Sequence, residues 1–304
     1  MNLYRMLLQR EADDEPLRVG LIGAGKFGSM FLSQVRKTTG MHLLAVADLR
    51  PDQARESLKR VGFKASDLKA KSFEAALRSR QCFVTDDAMA LIKSSSIDIV
   101  IDATGSPAAG IQHVLACCEY GKHIVMVNVE ADALAGPLLA RKAAEAGIVY
   151  SLAYGDQPAL ICEMVDWARA SGFEVIAAGK GTKYLSNYHQ STPATVWSHY
   201  GISEADAKLG GMNAQMFNSF LDGTKSAIEM AAVSNATVLL PASDGLQFPP
   251  CGVDDLARAR RADARAPPRP ALARATGASG ARAPRADGAA VAPPRAHVKR
   301  SGTW

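Results

Sequence analysis

The chain has 304 residues, enough for two domains with a buried core, and its composition, 48% hydrophobic and 21% charged, is that of a globular protein. Its five cysteines form no C-x-x-C pair, and no run approaches the roughly 18 apolar residues of a membrane span, so neither a disulfide scaffold nor a membrane protein is expected. The net charge of +5 is concentrated in residues 256–304, which carry ten Arg and one Lys against two Asp. The remainder is acidic, so nucleic-acid binding is not expected of the folded body. The cysteine pattern and the absence of an apolar signal-peptide stretch near the N-terminus predict a cytoplasmic location.

The first predicted strand leads into a glycine-rich turn. Leu17–Ile22 is an apolar run, residues 29–36 are expected to be helical, and residues 23–28 between them have the pattern G-x-G-x-x-G. Such a turn lets the backbone approach a pyrophosphate and directs the first amides of the helix toward it. Residues 1–16 precede this unit as an N-terminal extension. The residues predicted to bind a dinucleotide here are Gly23, Ala24, Gly25, Lys26, Phe27 and Gly28.

The second predicted strand, residues 42–48 (HLLAVAD), ends in an acid. Asp48 follows Gly28 by 20 residues, the spacing expected of a carboxylate that binds the adenosine ribose. The alternative is a turn or helix-capping residue ahead of Pro51. Asp48 favours the 2′-hydroxyl of NAD, whereas Arg50 has the chemistry to hold the 2′-phosphate of NADP. The residues themselves therefore leave NAD(H) and NADP(H) open.

Apolar runs continue to alternate with predicted helices as far as Leu152. At least five strands in this alternation predict a doubly wound parallel sheet, a Rossmann NAD(P)-binding domain over residues 17–152. Ligands bind at the carboxyl ends of the strands in such a sheet. Thr104 and Gly105, after the strand at 97–103, and Asn128, near the end of the strand at 124–129, are therefore expected to border the nicotinamide. The alternative for residues 104–107 is a plain turn between strand and helix.

Residues 153–255 are predicted to form part of a catalytic domain that binds the substrate. A helix at 159–171 and a strand at 173–178 are followed by GKGTKY at 179–184. Lys180 and Lys183, at the end of that strand, would hold an anionic substrate through charge-assisted hydrogen bonds. The alternative is a solvated basic loop, which is the commoner fate of such residues.

Three ionisable residues further along, Asp222, Lys225 and Glu229, are spaced at i, i+3 and i+7. On one helix they would share a face. On a face that lines the cleft, Lys225 would stabilise negative charge developing on a substrate oxygen, and the acids would act as base or as ligands of Mg²⁺ or Mn²⁺. Spacing alone does not define metal ligands, and the alternative is a solvated surface. The predicted catalytic residues are Lys180, Lys183, Lys225 and Asp222.

Six stretches of the sequence resemble the homoserine-dehydrogenase-like group of bacterial oxidoreductases: LRVGLIGAGKFGSMF, IDIVIDATGSP, KHIVMVNVEAD, YSLAYGDQPAL, GKGTKY and NSFLDGTKSAIEMAAVSNAT. They are more similar to the branch that often carries a C-terminal SAF-type domain. This branch includes a second, non-orthologous type of 1-deoxy-D-xylulose 5-phosphate reductoisomerase. Homoserine dehydrogenases carry a lysine after the strand that ends near the nicotinamide, whereas this chain has Asn128-Val129-Glu130, which argues against homoserine as its substrate.

The resemblance covers about residues 1–256 and implies an NAD(P)-binding domain followed by an α+β catalytic and dimerisation domain. It implies hydride transfer to or from a small polar carbonyl or alcohol compound, and a homodimer if the catalytic domain is intact. Gly23, Gly25 and Gly28 match the phosphate-loop glycines, and Thr104 and Gly105 match the turn beside the nicotinamide. For the reductoisomerase the resemblance also implies NADPH, a divalent cation and a phosphorylated ketose, which favours NADP(H).

Residues 256–304 differ abruptly from the rest, with sixteen Ala, ten Arg and six Pro. Such a segment cannot bury enough apolar surface to offset its ordering entropy, so a disordered tail is predicted. A basic tail that recruits nucleic acid or membrane is the alternative, although interleaved aromatic residues and an amphipathic stripe are lacking. Our hypothesis is a non-native reading frame that replaces the rest of the catalytic domain.

The function predicted from the sequence is that of an NAD(P)-dependent oxidoreductase. Its more specific form is a reductoisomerase that converts a small phosphorylated ketose, of the type that takes 1-deoxy-D-xylulose 5-phosphate to methylerythritol 4-phosphate. Homoserine-dehydrogenase-type activity is one alternative. A truncated protein that binds the cofactor without catalysing turnover is the other.

Overall fold

The computed structural model describes residues 2–241, 245–246 and 248–255. The tail predicted at 256–304 lies outside these residues. Within the described part, none of the helices is long and apolar enough to cross a membrane.

Six parallel strands form one sheet: β1 (Leu17–Ile22), β2 (Met41–Ala47), β3 (Phe83–Thr85), β4 (Ile99–Asp102), β5 (His123–Met126) and β6 (Tyr150–Leu152). Their order in space is β3-β2-β1-β4-β5-β6. This is the doubly wound order, in which the chain reverses direction across the sheet between β1 and β4. The predicted Rossmann sheet is confirmed.

Seven α-helices precede or connect the strands: α1 (Leu3–Ala12), α2 (Lys26–Val35), α3 (Pro51–Arg60), α4 (Phe73–Ser79), α5 (Ala88–Lys93), α6 (Pro107–Tyr120) and α7 (Val129–Glu145). Successive strand residues enter two separate cores, because side chains alternate between the faces of a sheet. Leu21 and Ile101 belong to one core, and Ile22 and Val100 to the other. Both faces of the sheet are therefore covered, which explains why the strands are continuous apolar runs.

The chain after the sheet is helical where it is regular: α8 (Gln157–Ala170), α9 (Val196–Tyr200), α10 (Glu204–Leu209), α11 (Ala214–Leu221) and α12 (Thr224–Thr237). A small core of Tyr188, Val196 and Leu221 lies among these helices. The longest of them, α8 and α12, pack against each other, and α12 also packs against α7.

A proline inside α7 lies close to a side-chain contact between α7 and α12. Pro137 has no N–H to donate to the carbonyl of Ala133, four residues earlier. The side-chain amide of Asn235, on α12, donates to the carbonyl of Asp132 at 2.8 Å and reaches that of Ala133 at 3.5 Å. Asn235 thus ties the two helices together, and its longer contact reaches the carbonyl that Pro137 leaves without a donor.

The prediction of a strand at 173–178 is wrong. Residues 173–185 form neither helix nor strand, and Phe173 and Ile176 are 63% and 61% exposed. A β-strand requires a neighbouring strand to bond with its backbone, and a pattern of apolar residues cannot supply one. Among the described residues, every strand belongs to the β1–β6 sheet, whose edge strand β6 pairs with β5 alone.

Candidate active site

Of the three glycines in the turn at 23–28, two are required by close packing and one borders open space. Gly23 has a φ of +95°, and a Cβ there would lie 2.8 Å from the Ala103 carbonyl oxygen. At Gly28 a Cβ would lie 2.2 Å from the Gly23 carbonyl oxygen, so both positions require glycine for packing. A Cβ at Gly25, by contrast, would meet no atom within 4 Å. The open space in front of Gly25, at the start of α2, therefore fits the pyrophosphate of a dinucleotide.

Asp48 lies directly against this turn. Its Oδ2 accepts a hydrogen bond from the Ala24 amide at 2.8 Å, and its Oδ1 accepts one from the Arg50 amide at 2.9 Å. A carboxylate has about four acceptor positions, so each oxygen retains capacity for a ribose hydroxyl. Arg50 is exposed at the start of α3, and Lys26 and Phe27 are exposed in the first turn of α2. The structure thus brings together the residues predicted to hold the adenosine half of the cofactor.

The turn after β4 is held by a buried carboxylate that the sequence prediction missed. Asp102 is fully buried, and its Oδ1 accepts from both the amide and the hydroxyl of Thr104, at 2.9 and 2.8 Å. Its Oδ2 lies 2.6 Å from Nδ1 of His113. Burial opposes ionisation of Asp102, but the hydrogen bonds from His113 and Thr104 outweigh it, so its pKa is lowered. The sequence pattern that could have predicted Asp102 is an acid at the end of an apolar strand, the same pattern that identified Asp48.

Asn128 connects this turn to α7. The side chain is 1% exposed, and its Nδ2 donates to the Ser106 carbonyl at 2.8 Å and to the Thr104 hydroxyl at 3.2 Å. Its Oδ1 caps α7 by accepting from the Ala131 amide at 3.3 Å. The amide of Asn128 is therefore committed to shaping the turn at Thr104 and Gly105, and any effect of Asn128 on the nicotinamide passes through that turn.

Four charged side chains meet beside the first turn of α7: Lys180, Lys225, Glu229 and Glu130. We call them the lysine–glutamate cluster. Lys180 forms a hydrogen-bonded ion pair with Glu229, which is 2% exposed. The Nζ atom of Lys225 lies 3.8 Å from Glu229 Oε1 and 3.8 Å from Glu130 Oε1. The two lysines predicted from separate segments are thus joined by a carboxylate of α12.

The lysine–glutamate cluster adjoins the Thr104 turn through the chain itself, because Glu130 follows Asn128 by two residues at the start of α7. Two lysines and two glutamates balance in charge. At 3.8 Å, the contacts of Lys225 are ion pairs longer than hydrogen bonds, so its N–H donors are not saturated by these two carboxylates.

Two predicted catalytic residues do not join the cluster. The prediction that Asp222 shares a helix face with Lys225 and Glu229 is wrong, because α12 begins at Thr224 and Asp222 caps the end of α11. The carboxylate of Asp222 accepts from Asn218 Nδ2 at 2.9 Å and from the Thr224 amide at 2.8 Å. Lys183 is exposed, and its side chain forms no ion pair with a residue in the described part of the chain. Within residues 2–241, 245–246 and 248–255, no group of three His, Cys, Asp or Glu is placed to hold a metal ion.

Two family models match consecutive parts of the chain. Residues 23–151 match the NAD-binding domain of homoserine dehydrogenase, and residues 155–266 match the catalytic domain of oxidoreductase DRL. The predicted likeness to homoserine dehydrogenase is thereby confirmed for the NAD-binding domain. No curated protein matches the sequence.

Solved structures similar to the chain include a homoserine dehydrogenase from Thiobacillus denitrificans, 19% identical over 51% of this chain and 34% of that one, with a TM-score of 0.40. An NAD-binding oxidoreductase from Klebsiella pneumoniae is 19% identical over 52% of this chain and 39% of that one, with a TM-score of 0.37. A probable dehydrogenase from Thermotoga maritima is 18% identical over 58% and 49% of the two chains, with a TM-score of 0.36. The chain spans less than half the length of each.

Proposed function

Starting from a chain whose two matched segments are an NAD-binding domain and an oxidoreductase catalytic domain, we propose that it transfers hydride between NAD(P) and a small polar alcohol or carbonyl compound. The observation that carries this proposal is the lysine–glutamate cluster beside the Thr104 turn. In a doubly wound sheet the dinucleotide binds at the carboxyl ends of the strands, which is where the Thr104 turn lies. Gly25 and Asp48 would hold the pyrophosphate and the ribose, and Thr104 and Gly105 would border the nicotinamide.

When bound, the nicotinamide supplies or accepts the hydride. Lys225 binds the reacting oxygen of the substrate, because its ammonium group has donors that its two carboxylates leave unsaturated. It stabilises the negative charge that develops on this oxygen during carbonyl reduction and then donates a proton to it. In the reverse direction Lys225 accepts that proton. Glu229 is the positioning residue, since it contacts both Lys225 and Lys180.

The charge of the site bears on the class of substrate. The lysine–glutamate cluster is balanced, so its net field favours a neutral carbonyl or hydroxyl group over a dianion. A phosphate group on the substrate would be held by Lys183, which is exposed in the same loop as Lys180. With the carbonyl at the balanced cluster and the phosphate at Lys183, we extend the proposal to a phosphorylated ketose and a reductoisomerase reaction, with NADPH recognised at Arg50. A divalent cation and a homodimer are parts of this narrower proposal.

The test is steady-state turnover of NADPH and NADH with 1-deoxy-D-xylulose 5-phosphate and with aspartate semialdehyde. Lys225→Met is expected to lower kcat about 100-fold or more, because it removes the proton donor and the charge at the substrate oxygen, while the Kd of the cofactor stays unchanged. Lys208→Met, at an exposed lysine of α10, is the matched control and should behave as the wild type. Cofactor binding without turnover of either substrate would contradict the proposal and favour a catalytically silent protein.

Lys183→Met separates the narrower proposal from the general one. Loss of the phosphate ligand should raise KM for the phosphorylated ketose about tenfold and leave KM for aspartate semialdehyde unchanged. Equal KM values in the variant and the wild type would reject Lys183 as the phosphate ligand while leaving hydride transfer intact.

A further inference from the structure

A cavity of about 410 Å³ lies beside the edge strand β6, between helices α7, α8 and α12. Its wall includes Asp132, Tyr150, Cys162 and Asn235. It shares no lining residue with the glycine turn, the Thr104 turn or the lysine–glutamate cluster. The cavity is therefore separate from the proposed active site, and the inference below does not rest on the proposed function.

The polar feature of this cavity is Asp132, which is 5% exposed. Its Oδ2 accepts a hydrogen bond from the Tyr150 hydroxyl at 2.7 Å, whereas its Oδ1 is buried and has no hydrogen-bond partner among the described residues. No described residue forms an ion pair with it. Burial raises the pKa of the Asp132 carboxyl, and Tyr150 and Asn235 only partly offset this. A buried carboxylate in this condition is costly unless a donor, and best a cation, is supplied from elsewhere.

Helix α7 is built to leave room for this carboxylate. A Cβ at Gly136 would lie 2.6 Å from Asp132 Oδ2, so no side chain fits there without displacing the carboxylate. Glycine inside a helix is about 1 kcal/mol less favourable than alanine, and the next residue, Pro137, is less favourable still. Asn235 holds the helix at the same point through its bond to the backbone carbonyl of Asp132, 2.8 Å long. Tyr150 thus holds one oxygen of the carboxylate, Asn235 holds the backbone beside it, and the other oxygen is left without a donor.

We propose that this cavity binds a small organic ammonium ion, which forms an ion pair with the Asp132 carboxylate. An ammonium group supplies the positive charge that the described residues do not provide, and hydrogen bonds between charged groups are stronger than those between neutral ones. Pro137, Ala140, Leu152 and Ala159 provide apolar wall for the carbon part of such a molecule. The cavity volume lies in the range of small-molecule sites.

The test compares cyclohexylammonium with cyclohexanol, which has the same ring and a donor but no charge. Binding of both probes to the full chain is measured by calorimetry or by ligand-observed NMR, in the wild type and in Asp132→Asn. The variant should bind cyclohexylammonium at least about tenfold more weakly, because the charge is lost at constant shape, and should bind cyclohexanol as the wild type does. Equal binding of cyclohexylammonium to both proteins, or no binding to the wild type, would overturn the proposal.

A second measurement needs no variant and so holds even if Asp132→Asn fails to fold. Cys162 lies on the cavity wall, whereas Cys251 is exposed. Cyclohexylammonium should slow alkylation of Cys162 by iodoacetamide, as followed by peptide mass spectrometry, and leave the alkylation of Cys251 unchanged. Equal alkylation of Cys162 with and without the probe would also overturn the proposal.

Discussion

The sheet and the helices that follow it differ in how completely they bury their apolar residues. In the sheet, Leu21 and Val100 are fully buried. On α8, Met164 and Trp167 remain 69% and 67% exposed, and Ile176 after it remains 61% exposed. Local stability follows the density of buried apolar contacts, so the part containing α8–α12 is expected to open before the sheet does. The groups that would hold the cofactor therefore lie on the more stable part, and two lysines of the proposed chemistry lie on the less stable one.

The largest expected effect is on the sheet side, at Gly28. In Gly28→Ala the new Cβ meets the Gly23 carbonyl oxygen at 2.2 Å, and a backbone atom cannot move aside without deforming the turn. We expect a loss of about 3 kcal/mol in the free energy of unfolding, together with loss of cofactor binding. Urea unfolding and titration with NADH and NADPH measure the two quantities.

Gly25→Ala is the matched control for Gly28→Ala. Its Cβ enters open space, so stability should stay near that of the wild type while cofactor affinity falls, because the methyl group occupies the place of the pyrophosphate. Cofactor affinity in Gly25→Ala equal to that of the wild type would refute our placement of the pyrophosphate.

On the helical side, Glu229→Gln tests whether the two parts respond separately. The substitution leaves Lys180 and Lys225 without the charge of their shared carboxylate, which costs about 2 to 3 kcal/mol because the two lysines remain partly exposed to water. We expect a marked loss in the unfolding transition of α8–α12, seen by hydrogen exchange, with the protection of β1–β5 and the Kd of the cofactor unchanged. A parallel loss of protection in the sheet would show that the two parts unfold as one unit.

Asp102→Asn should have a smaller effect, about 1 to 3 kcal/mol at neutral pH, because the amide keeps an acceptor for Thr104 but loses the charge facing His113. The pKa of Asp102 is lowered in the folded protein. Its stabilisation is therefore complete above the unfolded value of about 3.9 and is lost as the pH falls toward the folded pKa. The difference in unfolding free energy between wild type and variant should shrink below about pH 4. A difference that stays constant from pH 7 to pH 3 would contradict this assignment.

The smallest expected effect is at Arg50, on the protein surface. Arg50→Ala should weaken NADPH binding about tenfold, because a guanidinium partner of the 2′-phosphate is lost, and should leave NADH binding unchanged. Fluorescence titration with the two cofactors decides the matter. Equal losses for both would reject Arg50 as the determinant of cofactor choice.

The sequence predicted the sheet well because its evidence is local. The run Leu17–Ile22, the glycines after it and the spacing to Asp48 lie within about thirty residues, and parallel strands buried on both faces leave a clear apolar signature. The lysine–glutamate cluster was only half predicted, since Lys180 and Glu229 are 49 positions apart and only packing brings them together. Asp222 was misplaced because residue spacing says nothing about where one helix ends and the next begins. The strand at 173–178 failed because a strand depends on a partner that no local pattern specifies.

The strand order also fixes when each wall of the cofactor site becomes available during synthesis. β1 pairs with β2, which follows it closely, but its other neighbour, β4, lies about eighty residues further on. The ribose and pyrophosphate half can thus assemble early on the ribosome, whereas the turn at Thr104, which needs β4, Asn128 and α7, is completed only after nearly half of the chain has emerged. Contacts between residues distant in sequence form slowly, so we expect the pairing of β1 with β4 to limit the rate of folding. A nascent chain would therefore form the part of the site that binds the adenosine half of the cofactor well before it forms the turn that borders the nicotinamide.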